Sequence, residues 1–119
     1  MARRIRRLVA DGDTYLWTTR HVHERVEARQ PEDCREVVAL RRDGDRGRVE
    51  IVFRAGAGRH VGDGRLHSGG VVGPGGYRNL HEPGVVRGLL DAALAHGWRP
   101  EDPAKRELDG WSLGNDPNE

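Results

Sequence analysis

One cysteine, one lysine, one phenylalanine and one methionine stand among the 119 residues, and no wholly apolar run exceeds four. Each scarcity excludes something. Cys34 alone permits no intrachain disulfide and no zinc site built on paired thiolates, and a lone thiol suits a reducing compartment, so a cytoplasmic location is expected. Without a long apolar run there is neither a membrane span nor the apolar core of a secretory signal, and no membrane partner is expected. The lone Lys105 is followed by Arg106, which removes the Gly-Lys-Ser/Thr phosphate loop. Aromatic residues make up 5% of the chain, which points to one modest core and no deep enzymatic pocket.

Charge is plentiful and balanced: 20 basic residues, all but one of them arginine, face 19 acids for a net charge of +1. Leu, Ile, Val and Phe supply about a fifth of the chain, near the edge of the disorder-prone range. The near-neutral charge removes the self-repulsion that would favour disorder. A single domain over residues 1–113 with a disordered tail at 114–119 is expected.

Along the chain, apolar and β-branched runs near 3–10 and 13–24 flank the Asp11-Gly12 pair, and glycine supplies the positive φ that a tight hairpin turn needs. The arrangement recurs, with an apolar run at 36–42, a DGDRG turn, and the alternating Val49, Ile51 and Phe53. Neither DGD has the further oxygen ligands of a calcium loop. Residues 55–76 hold nine glycines and predict an exposed loop, with at most a short strand at 70–72. Its glycine spacing misses the dinucleotide fingerprint by one residue. Between 83 and 97, Pro83 suits a first helical position, Val85, Val86, Leu89, Leu90, Ala93 and Leu94 recur on one side, and Gly97 is placed to cap. Trp98 is expected to fold back as a core anchor, and the tail to add an edge strand around 107–113.

The two ends, RRIRRLVADGDTYLW at 3–17 and EPGVVRGLLDAALAHGWRPED at 82–102, resemble a small bacterial family of uncharacterised proteins. That family pairs an R-I-x-V-x-G-x-x-Y-x-W hairpin with a P-x-V-V-x-x-L-I-x-x-A-L-x-x-G-W-x-P helix. The hairpin motif is loosened here at Leu8 and Asp11, while the helix motif is followed through Pro83, Val85, Val86, Leu89, Leu90, Ala93, Leu94, Gly97, Trp98 and Pro100. The resemblance implies a fold and attaches no activity.

Three features carry chemistry. If 14–24 is a strand, alternation puts Tyr15, Trp17, Thr19, His21 and His23 on one face, with the two histidine side chains about 7 Å apart at their bases. That spacing suits two ligands of one zinc, copper or iron ion, with His60, His67, His81 or Glu24 as a further ligand. The alternative is a polar pair at the wet end of a strand, and no resident cofactor is expected. Arg3, Arg4, Arg6 and Arg7 form a basic cluster that suits nucleic acid, though a terminal charge run is usually only solvated. Trp111 has no evident core position and is expected either to complete an edge strand or to bind a partner. Cys34 follows acidic residues that disfavour a thiolate, and Ser68 beside His67 lacks a rigid frame for a nucleophile.

The expectation is therefore an α+β fold, two β-hairpins forming a mostly antiparallel sheet covered on one face by the C-terminal helix. The function expected first is a non-enzymatic interaction or accessory role with another protein as partner. Metal binding or metal-dependent catalysis at His21 and His23 comes second, and nucleic-acid contact through the arginine-rich first strand third.

Overall fold

A computed structural model describes residues 5–23, 34–56, 58–61, 69–73 and 76–113, with only the backbone of His23. The fold is mixed α+β around a mostly antiparallel five-stranded sheet. Strands β1 (Arg6–Ala10) and β2 (Asp13–His23) form the first hairpin. Its turn places both Asp11 and Gly12 at positive φ, 53° and 85°, the conformation that matches the right-handed twist of the flanking strands. Strands β3 (Cys34–Arg42) and β4 (Arg48–Arg54) form the second, and β2 pairs antiparallel with β3.

The helix α1 (Pro83–Ala95) stops where its sequence says it should. Gly97 lies at φ 97°, its N–H donates to the Leu94 carbonyl at 3.1 Å, and that of Trp98 reaches back to Ala93 at 3.0 Å. This is the paired closure that satisfies the last carbonyls of a helix. It also turns Trp98 inward, to 2% exposure and 6.4 Å from the Tyr15 ring centroid.

Two stretches differ from expectation. The tail strand, expected around 107–113, runs over Lys105–Asp109 as β8 and lies parallel to β4, since the chain has crossed through α1 before returning to the sheet. Residues Gly110–Leu113 form the short helix α2. Within the glycine-rich stretch, the described residues include β5 (His60–Val61), which is not expected, and β6 (Gly70–Gly73), where the short strand at 70–72 is; both join β7 (Gly76–Asn79) in a separate antiparallel sheet. Val61 and Val71 are buried there. A few valines suffice because the larger sheet supplies the other half of the core, and glycine permits the close approach: a Cβ at Gly73 would lie 2.5 Å from the Trp111 ring.

The strand register sorts the large sheet into two faces. On the inner one stand Tyr15, Trp17, Val38, Leu40, Val49, Ile51 and Phe53, which share one hydrophobic cluster with Val86, Leu89, Leu90 and Ala93 of α1 and with Val61, Val71 and Leu80. On the outer one, Val37, Ala39 and Val52 are buried but stand outside that cluster. No helix of the described residues is long and apolar enough to cross a membrane.

Candidate functional site

The strand reading of His21 and His23 holds: both lie on β2, His21 directly across from Glu36 and His23 across from Cys34. Glu36 is fully buried. Its Oε1 lies 3.2 Å from His21 Nδ1 and accepts the Gly69 N–H at 2.9 Å, while its Oε2 has no hydrogen-bond partner. The histidine is thus engaged by a carboxylate of the neighbouring strand. Sequence reasoning finds no acid isolated in an apolar context and so misses Glu36; the signal that could have found it is its place before the apolar run VVAL, sharing by alternation the face of Val38 and Leu40.

The other expected ligands scatter. His60 sits on β5 across from Val72 and is exposed. His67 and Glu24 lie outside the described residues, as does Ser68. The His81 ring rests on Gly69, whose N–H donates to Glu36: a Cβ at Gly69 would lie 2.5 Å from His81 Nε2. Among the described residues no group of three or more His, Cys, Asp or Glu is placed to hold a metal ion.

Arg3 and Arg4 also lie outside the described residues, and Arg6 and Arg7 point to opposite faces. Arg6, on the inner one, stacks 4.8 Å above the Trp17 ring and donates from Nη1 to the His81 carbonyl at 2.7 Å. A single basic patch through the first strand is thereby divided, as the pleat requires. Trp111, the other expected partner contact, is instead core: 4% exposed, edge-on to Phe53 at 5.1 Å, its indole N–H donating to the Arg54 carbonyl at 2.8 Å.

The outer face carries what the linear sequence concealed. Arg7 stands across from Leu16, Leu16 from Arg41, and Arg48 from Lys105, and one step on from the Leu40–Val49 pair sets Arg41 beside Arg48. At about 4.8 Å per strand this forms a row on the order of 20 Å long across all five strands, with a cation on every strand except β2. Arg7, Arg20, Arg35, Arg41, Arg48, Arg54 and Lys105 share the face with three carboxylates, those of Glu50, Glu107 and Asp109. Beside the row, Ile5, Leu16, Trp17, Thr18, Ala39 and Leu40, with Arg41 and Arg48, line a furrow of about 320 Å³. Ile5 and Val9 are 62% and 66% exposed.

Glu50 anchors the centre of this face. Its carboxylate lies 3.3 Å from Arg20, 2.9 Å from Arg48 and 3.2 Å from Lys105. Burial pushes its pKa up, but the hydrogen bond from Lys105 and the charges of Arg20, Lys105 and Arg48 outweigh that, so the carboxyl sits below its ordinary value. A depressed carboxyl pKa stabilises the fold above the unfolded value, about 4.3, and that contribution is lost as pH falls through the folded value. Glu50→Gln is accordingly expected to lower the urea midpoint at pH 7, with the difference from the parent shrinking by pH 3. An equal difference at both pH values would mean that the ion cluster adds no stability.

The class the fold defines is thus a mixed α+β protein with one strongly basic sheet face. No known protein family, curated protein or solved structure matches the chain. The likeness of its two ends to the bacterial family therefore adds no activity, and function rests on the surface chemistry.

Proposed function

We propose that this protein is a non-enzymatic interaction module whose outer sheet face takes an acidic segment of a partner protein. The observation that supports the reading is the cation row beside an aliphatic furrow. Arg7 and Arg41 flank Leu16, and neither makes an ion pair with a described residue. A second copy of the same face would bring cations against cations, so the complement is acidic. In this reading α1 covers the inner face and leaves the outer one to the partner. The furrow receives an apolar side chain of the acidic segment, while the row pairs with carboxylates around it.

Charge alone would also suit nucleic acid, but no strand residue turned to that face is aromatic, and Trp17 and Trp111, which line recesses on it, are 1% and 4% exposed. Single-stranded nucleic acid is held largely by stacking on exposed aromatic rings, and an aliphatic furrow gives a base no platform.

Selection from a random peptide library tests the proposal. Enriched peptides are expected to combine several acids with a large apolar residue, to bind less tightly as salt rises, and to lose at least tenfold in affinity to the double variant Arg7→Glu, Arg41→Glu. Enrichment of neutral or basic peptides would sink the reading. So would single-stranded DNA binding tighter than any selected peptide.

A further inference from the structure

Beyond the partner surface, and on the opposite side of the sheet, we infer that a recess between Arg6, Trp17, Thr19 and His81 binds a small organic acid through its carboxylate. The recess encloses about 290 Å³. Arg6, Thr19 and His81 are each held by a contact of their own. Arg6 is stacked on Trp17 and bonded to the His81 carbonyl; the Thr19 hydroxyl donates to the Leu80 carbonyl at 3.0 Å. The His81 ring rests on Gly69, which is itself tied to the buried Glu36 and accepts from the Leu80 N–H at 2.7 Å. A site so arranged loses little freedom when a ligand arrives.

Its chemistry points to an oxyanion. Arg6 faces no carboxylate among the described residues, and its bond to the His81 carbonyl uses one of five N–H donors, leaving the planar fork that matches a carboxylate. The imidazole of His81 adds a donor. The size of the recess selects an organic ligand over a bare inorganic ion, which would leave most of it to water.

The inference is tested by amide and indole N–H resonances during titration with benzoate and, separately, with inorganic phosphate. Benzoate is expected to saturate at low millimolar concentration or below, shifting the signals of Arg6, Trp17, Thr19 and His81. Arg6→Gln should weaken it at least tenfold, and Arg6→Lys, which keeps the charge but loses the fork, by an intermediate factor. Spectra of both variants, compared with the parent, establish that they fold. Absence of saturation up to tens of millimolar, phosphate binding as tight as benzoate, or unchanged affinity in a folded Arg6→Gln would each overturn the assignment.

Discussion

Trp17→Ala is expected to lower the unfolding free energy by about 3–5 kcal/mol, the range for truncating a large aromatic side chain in a core. Trp17 is 1% exposed, stands across from Leu40 on β3 and from Arg6 on β1, and belongs to the cluster that joins the sheet to α1. Removing the ring leaves a cavity among β-strands that cannot collapse without losing register, and it strips Arg6 of its stacking surface. One feature works the other way. The indole N–H is buried without a hydrogen-bond partner, so its removal recovers a desolvation penalty and puts the expected value toward the lower end. Trp17→Phe, which keeps most of the volume and deletes that N–H, should cost less than half as much. Urea denaturation of the pair decides. A loss below about 1 kcal/mol for the alanine variant would contradict the central place given to this ring.

The second large effect comes from adding a single methyl group. Gly47 sits just before β4, and its N–H donates to the Pro100 carbonyl at 2.9 Å. A Cβ there would collide with the carbonyl oxygens of Pro100 and Asp102 and lie 2.8 Å from the Pro100 carbonyl carbon. All three atoms are backbone, so no rotamer change relieves the clash. Gly47→Ala is expected to cost about 1–3 kcal/mol or more by overpacking. Moving residues 100–102 would also disturb the start of β8, which brings Lys105 to the cation row, so partner affinity should fall with stability. Gly88→Ala makes the contrast. That glycine is exposed in the interior of α1 with open space around its Cβ position, and the substitution should stabilise by about 0.5–1 kcal/mol through helix propensity. Thermal melts that order the two variants the other way would refute the backbone-contact argument.

Much of the site was out of reach of any local pattern. His21 and His23 could be assigned to one face from alternation alone, and Glu36 to the face of Val38, but their meeting depends on how β2 slides against β3. A shift of one residue would have put Glu36 on the outer face. The cation row depends on still more. Arg7, Arg41, Arg48 and Lys105 come from four strands, and the near-zero net charge conceals their collection on one side. Trp111 looked unattached because the groups that enclose it, Phe53, the Arg54 carbonyl and Gly73, lie 38 to 58 residues earlier in the chain.

By itself the sequence determined the elements whose causes are local: the Asp11-Gly12 turn with its glycine at positive φ, the alternation along β2 to β4, and a helix begun by Pro83 and closed at Gly97. These follow from the sterics and periodicity of a few neighbouring residues. Tertiary structure alone decided that β8 runs parallel beside β4, that glycine-rich backbone becomes a small sheet against Trp111, and that cations gather opposite the core. Those outcomes are set by strand register and by crossover through α1, in which residues far apart in the chain become neighbours only once a shared core exists to hold them.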